Sequence, residues 1–486
     1  MSTSVTVRHI ASPHHAAASQ YTGEDYVHRD DLRSTFAANM SAMYRAEVPL
    51  YGDLVRIVSE VNRAYPIAAN EAHRLGLERH GAIRLGTPQE LQTIRRVFAL
   101  LGMAPVGYYD LAVAGLPMHA TCFRPTEASA LQKNPFRVFT TLLRPELITT
   151  DSSKQIALDL LSRRQIFTDD LLLLLDQAEA QGGQLTGQQA ESFITNALES
   201  FRWQGMAAAT VSQYQEMRKA HPILADIASF TSAHINHLTP RALDIEESHR
   251  QMARAGMAVK DRIEGPPRRA CPILLRQTSF LALEESIGFR EDGPSHASSA
   301  RVVQGSHKAR FGEIEQRGAA PTTKGRQLYD ALLDEALQRA DAEHADASRT
   351  DEIMAEVFAQ YPDDWTELRR QGLVYFEYSC RQTSFDPSRV DAASDAADLL
   401  DQLIQQSVIV ATPITYEDFL PFSAAGIFQS NLTSKSAFAH RESTADEAGF
   451  NRSLGATVLD MDGLYASHQR QSVERCFKIL GLELRA

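Results

Sequence analysis

The sequence predicts an α+β protein in which two βαβββ modules close into one barrel, extended by large helical insertions. An internal repeat is the first observation behind this. His80-Gly-Ala-Ile-Arg84-Leu-Gly-Thr87-Pro-Gln-Glu90 and His237-Leu-Thr-Pro-Arg241-Ala-Leu-Asp244-Ile-Glu-Glu247 run in parallel, each with an arginine four residues after the histidine and a helix cap seven after it. Both repeats then reach the same stop, Gly102-Met103-Ala104 in one and Gly256-Met257-Ala258 in the other. Three strand-like runs follow each stop, which completes the strand–helix–strand–strand–strand order twice.

Each element has a local cause. Residues 24–72 carry apolar side chains at helical spacing. The first module, 76–150, opens on the strand of His80. Thr87 and Glu90 place an oxygen acceptor at the N-cap and a carboxylate three residues on, and Pro88 occupies the first helical position, where its missing N–H costs nothing. Leu91, Ile94, Phe98 and Leu101 recur on one face, and Gly102 can adopt the left-handed conformation that ends the helix. Strands are expected over 106–113, 117–123 and 136–143.

Between the modules, 151–229 is expected to be a helical insertion, with Leu158, Leu161, Ile166, Leu171 and Leu175 at helical spacing. The second module, 230–320, repeats the plan. Asp244 and Glu247 cap its helix, Gly256 ends it, and strands are expected over 259–263, 273–283 and 308–315. The remainder, 321–486, is expected to be helical over 325–370 and extended over 372–382 and 408–430. The helices should wrap the barrel and wall off its mouth. Two modules closing around one site make 1–486 a single catalytic unit.

Composition excludes several classes. The chain has 486 residues with 49 Lys+Arg against 61 Asp+Glu, a formal net charge of −12, which argues against nucleic acid as a partner. Hydrophobic residues make up 43% and charged residues 23%, the balance of a globular protein. No apolar run is long enough to span a bilayer, and residues 1–19 lack the apolar stretch of a secretory signal. Cys122, Cys271, Cys380 and Cys476 lie far apart and form no metal knuckle, which suits a reducing cytoplasm. No glycine fingerprint opens a helix after a strand, so no dinucleotide site is expected.

The repeat also suggests a metal centre. His80 and His237 fall on the first strands of equivalent modules and should meet across a pseudo-twofold axis. A carboxylate is the natural third ligand, and the last strand of the second module supplies two, Glu313 and Glu315. Residues two apart on a strand share a face, so spacing leaves both open. Two histidines and a carboxylate form the facial triad of non-haem Fe(II) oxygenases, with room for a bidentate 2-oxo acid and O2. Arg84 shares the strand face of His80, where its planar fork could grip a substrate carboxylate. Gln277, on a barrel-lining strand, could hydrogen-bond substrate. Gln316 faces away from Glu313 by alternation. Pro240 interrupts the strand of Arg241, which should therefore be structural. His119, His234 and His307 read as packed or surface histidines.

Two βαβββ modules with a histidine on each first strand resemble the vicinal oxygen chelate barrel. Glu313-Ile-Glu-Gln-Arg317 resembles the Glu-Ile-Ile-Gln-Arg stretch of 4-hydroxyphenylpyruvate dioxygenase, whose first glutamate is the iron ligand. Other stretches are similar to the 2-oxoadipate dioxygenase/decarboxylases of bacterial lysine catabolism. They are His80-Gly-Ala-Ile-Arg84, Asn236-His237-Leu-Thr-Pro-Arg241, Leu274-Leu-Arg-Gln277-Thr-Ser-Phe280, Phe311-Gly-Glu313-Ile-Glu-Gln-Arg-Gly318 and Phe419-Leu-Pro-Phe422-Ser423-Ala-Ala-Gly-Ile-Phe428. The resemblance implies Fe(II) held by His80, His237 and Glu313. It implies Arg84 as the catalytic carboxylate clamp, with Phe422 and Ser423 lining the substrate end. The implied reaction takes 2-oxoadipate and O2 to 2-hydroxyglutarate and CO2, with both oxygen atoms retained. An aromatic 2-oxo acid such as 4-hydroxyphenylpyruvate is the alternative substrate, and a non-catalytic barrel that binds a small ligand is the alternative class.

Overall fold

The computed structural model describes residues 26–67, 69–291, 302–382, 385, 396–420 and 445–482. Its strands are β1 (Arg79–Leu85), β2 (Ala104–Asp110), β3 (Met118–Arg124), β4 (Arg137–Leu143), β5 (Met206–Thr210), β6 (His237–Pro240), β7 (Leu275–Ser279), β8 (Glu284–Arg290), β9 (Val302–Lys308), β10 (Phe311–Arg317), β11 (Phe376–Cys380) and β12 (Ile409–Pro413). Seven of them form one sheet in the order β2-β3-β4-β1-β6-β10-β7.

The pairing carries the pseudo-twofold relation. In each module the first strand lies parallel to the last, β1 with β4 and β6 with β10. The two first strands then meet antiparallel, with His80 opposite Thr239 and Gly81 opposite Leu238. The α+β class and the two-module plan are therefore present, as a curled half-barrel.

The N-caps form at Thr87 and Asp244, and the reciprocal carboxylate bond forms in the first module only, because Glu247 turns to Gln251 and Arg250. Thr87 accepts the Glu90 N–H at 3.2 Å and Glu90 returns an acceptor to the Thr87 N–H at 3.3 Å, a complete capping box on the helix Pro88–Leu100. Asp244 accepts from the Glu247 N–H at 2.9 Å on the helix Ile245–Arg254. Gly102 and Gly256 end these helices with φ of +67° and +81°, a region closed to most side chains.

Three strand expectations need correction. Residues 259–263 form no continuous strand; they meet the β7 segment through the bridges Val259–Phe280 and Glu264–Gln277, with the Lys260 N–H on the Ser279 carbonyl at 3.0 Å and Thr278 Oγ1 on the Arg262 carbonyl at 3.5 Å. Between these bridges Arg262 turns out to an ion pair with Asp351 at 2.7 Å, and Gly265 at φ +108° bends the chain away. The run expected over 273–283 is shorter, and Glu284–Arg290 and Val302–Lys308 pair antiparallel as β8 and β9 in a separate three-stranded sheet with β5. Its exposed, polar outer strand gave no apolar alternation to read. β5 itself lies in the insertion expected to be helical, where Met206-Ala-Ala-Ala-Thr210 pairs parallel to β8 despite its helix-favouring alanines.

The remaining insertions are helical, including Asp151–Leu161, Asp169–Ala180, Gly187–Glu199, Val211–Ala220 and Pro222–Ser229. The main sheet divides the core. Ile83, Leu85, Val138 and Leu142 face the helices Arg29–Glu47, Pro49–Asn62 and Pro88–Leu100, and Ala82, Cys122 and Phe139 face the other way. Strand alternation puts His80 and Arg84 on the side of Ala82. Among the described residues, no helix is long and apolar enough to cross a membrane.

Candidate metal centre

His80 lies at the start of β1, His237 at the start of β6 and Glu313 on β10, three neighbouring strands of the main sheet. Their side chains converge. His80 Nε2 is 3.0 Å from Glu313 Oε1, and His237 Nε2 is 3.9 Å from the same oxygen. The two imidazoles stand edge to face with centroids 5.6 Å apart. One ligand atom from each residue lies within 4.8 Å of the others, and all three residues are buried.

Both ring nitrogens of His237 and Oε2 of Glu313 are buried and have no hydrogen-bond partner among the described residues. Buried polar atoms are rarely left so, because each forfeits its hydration. Burial, then His80 and Arg84, push the His237 imidazolium well below its ordinary pKa, so the ring is neutral and offers a lone pair. Two imidazoles and a carboxylate, with orphaned atoms on His237 and Glu313, fit a divalent metal.

Glu315 shares the inward face of β10 but has different company. It receives Arg137 Nη2 in a very short ion pair, Arg317 Nε at 2.8 Å and Gln277 Nε2 at 3.2 Å. His80 Nδ1 is 3.4 Å away. Burial would raise this carboxyl, but Arg137, His80 and Arg317 outweigh it and hold it well below the usual range. Glu315 is thus placed to orient the outer nitrogen of His80, the common second support of a metal-binding histidine.

The arginines extend a buried network. Arg317 also pairs with Glu78 at 2.8 Å and with Glu417, which Arg74 meets at 3.4 Å. Arg137 Nη1 donates to the Asp418 carbonyl at 2.6 Å, and Arg124 grips the Asp418 carboxylate at 2.7 and 2.9 Å. Phe419 covers Arg137 at 4.4 Å and sets its ring against His80 at 5.0 Å.

Arg84 points to the same side of β1 and bonds Asp226 through Nη1 at 2.6 Å. Gln277 reaches Glu313 Oε1 at 2.9 Å, beside the proposed ligand. Gln316 faces away, onto Arg276 and the Leu243 carbonyl, and Arg241 pairs with Glu78 at 3.5 Å. His119 packs against Phe450 and Tyr108. His234 and His307 are buried too, but both bond Asp226. Phe422 and Ser423 lie outside the described residues.

Comparison with known proteins adds a family. A family model described as 2-oxoadipate dioxygenase/decarboxylase matches residues 36–431. The chain belongs to this family. It is 46% identical over 471 residues to the 2-oxoadipate dioxygenase/decarboxylase of Pseudomonas putida, covering 94% of this chain and 98% of the relative. It is 46% identical over 458 residues to the Escherichia coli protein of the same name, covering 92% and 98%. The crystal structure of the hydroxyglutarate synthase from Pseudomonas putida in complex with 2-oxoadipate matches with TM-score 0.81 at 43% identity, over 94% of this chain and 100% of that one.

Within this dioxygenase/decarboxylase, sequence reasoning brought His80, His237 and Glu313 together but missed the charged network behind them. A signal existed. Arg137 interrupts the apolar run Phe136 to Phe139, and an arginine in a strand buried on both faces requires a buried anion.

Proposed function

We propose that this chain is an Fe(II)-dependent dioxygenase/decarboxylase that converts 2-oxoadipate and O2 to 2-hydroxyglutarate and CO2. The observation that carries it is the buried His80–His237–Glu313 cluster with its orphaned donor atoms, in a member of the 2-oxoadipate family. Iron held by these residues supplies O2 activation and a Lewis acid for the 2-oxo acid end. The balance closes, since C1 leaves as CO2, C2 becomes a carboxylate and C3 gains a hydroxyl.

The protein's own groups do the rest. Arg84 holds the distal carboxylate by a charge-assisted fork. Gln277 and Thr239 fix Glu313 Oε1 at 2.9 and 3.1 Å, leaving Oε2 to bind. Glu315 sets the His80 ring, and Phe419 shields it from water. Phe422 and Ser423 are assigned to the substrate end on the family resemblance. Both modules, the insertion through Asp226 and the C-terminal part through Glu417 and Asp418 converge here, which supports reading 1–486 as one catalytic unit. The free Cys122, Cys271, Cys380 and Cys476 support a cytoplasmic setting.

The test is an oxygen electrode. Purified protein loaded with Fe(II) should consume O2 with 2-oxoadipate and yield equimolar 2-hydroxyglutarate and CO2. No uptake with 2-oxoadipate, or faster uptake with 4-hydroxyphenylpyruvate, would sink the reading.

A further inference from the structure

Arg84 is not an isolated cation. Its Nη1 donates to Asp226 Oδ2 at 2.6 Å, and the other carboxylate oxygen receives His307 Nε2 at 2.8 Å and His234 Nε2 at 3.2 Å. An ionised carboxylate only accepts, so His307 and His234 each present an Nε2–H to it. His307 Nδ1 in turn meets the Tyr214 hydroxyl at 2.8 Å. A buried chain of bonds therefore runs from Tyr214 through His307 and Asp226 to Arg84. Trp203 and Phe230 pack on both imidazoles and exclude water from it.

Apart from Arg84 on β1, the groups in this chain come from outside the first module. Tyr214 sits on the helix Val211–Ala220 and Asp226 on the helix Pro222–Ser229, both in the insertion, while His307 comes from β9. Burial alone would raise the Asp226 carboxyl, but Arg84 and His234 outweigh it, so Asp226 is ionised. Asp226, His234 and His307 also have ligand atoms within 4.8 Å of one another. A guanidinium 2.6 Å from that carboxylate repels a cation, and Tyr214 already engages His307, so a hydrogen-bonded cluster is favoured over a second metal.

We propose that Asp226, anchored by His307 and His234, is a positioning residue that fixes the Arg84 guanidinium relative to the His80–His237–Glu313 centre and so selects the chain length of the 2-oxo dicarboxylate. This rests on the reading of Arg84 as the carboxylate clamp. A dicarboxylate gripped at both ends must match the distance between the grips, and each methylene changes that distance. Arginine has a long, flexible stem, so its reach discriminates only if something pins it. Misplacing a reacting group by about 1 Å can cost on the order of a hundredfold in rate.

The test compares Asp226→Asn and Arg84→Ala with the parent protein. Oxygen uptake is measured with 2-oxoadipate, with 2-oxoglutarate (one methylene shorter) and with 2-oxohexanoate (no distal carboxylate). Melting temperature, metal content and anaerobic calorimetric affinity for 2-oxoadipate are read alongside. Asp226→Asn should raise KM and the calorimetric Kd for 2-oxoadipate by roughly tenfold or more, with kcat changed less than about threefold. Its preference for 2-oxoadipate over 2-oxoglutarate should shrink by a similar factor, and kcat/KM for 2-oxohexanoate should hold.

An unchanged preference between the dicarboxylates in folded Asp226→Asn overturns the proposal. So does an equal loss with all three substrates, or a second metal equivalent that Asp226→Asn removes. If Arg84→Ala keeps the preference for 2-oxoadipate over 2-oxohexanoate, the clamp reading itself fails and the proposal with it. If Arg84→Ala abolishes that preference while Asp226→Asn keeps the chain-length preference, only the positioning role fails. Should Asp226→Asn not fold, His307→Gln and Tyr214→Phe act on the same chain from further out and decide it by the same ratios.

Discussion

Glu313 and Glu315 stand two residues apart on one face of β10 and meet opposite surroundings. Glu313 keeps an orphaned Oε2 beside the imidazoles of His80 and His237, whereas Glu315 is enclosed by Arg137 and Arg317. The difference separates a carboxylate available to a metal from one already neutralised. Glu313→Gln should therefore lower bound iron at least tenfold and abolish O2 uptake. Metal analysis of the purified variant checks this, and full iron occupancy would refute it.

Glu315→Gln should fail differently. It leaves Arg137 and Arg317 buried without one of their carboxylates. Removing one partner of a buried pair costs about 3–5 kcal/mol. The expected outcome is a large drop in denaturant midpoint, with iron still detectable in the folded fraction. Equal stability would contradict the enclosed-carboxylate assignment.

At the junction of the modules, Gly81 faces β6 across a close approach. A Cβ there would lie 2.5 Å from Ile235 Cδ1 and 2.9 Å from the His237 carbonyl oxygen. Gly81→Ala should cost about 1–3 kcal/mol, as overpacking does, and weaken metal affinity by displacing His237. Chelator competition and chemical denaturation measure the two effects separately. A neutral substitution would show that the junction yields.

His119 gives a stability signature in acid. Burial, followed by Arg144, lowers its pKa from 6.5 to about 4, so the folded protein holds it neutral while the unfolded chain protonates it. Stability from this residue is complete above pH 6.5 and is lost as pH falls from 6.5 to about 4. The loss amounts to about 3 kcal/mol over the window. Urea unfolding of parent and His119→Phe at several pH values should show a shallower pH slope for the variant in that window. Parallel slopes would remove His119 as a cause.

Local chemistry determined much of this protein. The caps at Thr87 and Asp244, the stops at Gly102 and Gly256 and the strand histidines depend on neighbours within a few residues, and they appear where the repeat places them. The repeat also paired His80 with His237, because equivalent positions of two modules must approach a shared axis. Tertiary structure alone decided the rest. Spacing could not distinguish Glu313 from Glu315, because their difference lies in Arg137 and Arg317 rather than in β10. It could not show that Arg84 is bound to Asp226, 142 residues away, through a helix in an insertion that the repeat does not contain. Nor could it place β5, β8 and β9, whose pairing outweighs weak local preferences. Short-range hydrogen bonds are written into sequence spacing, whereas buried charges find their partners only when distant segments have left water together.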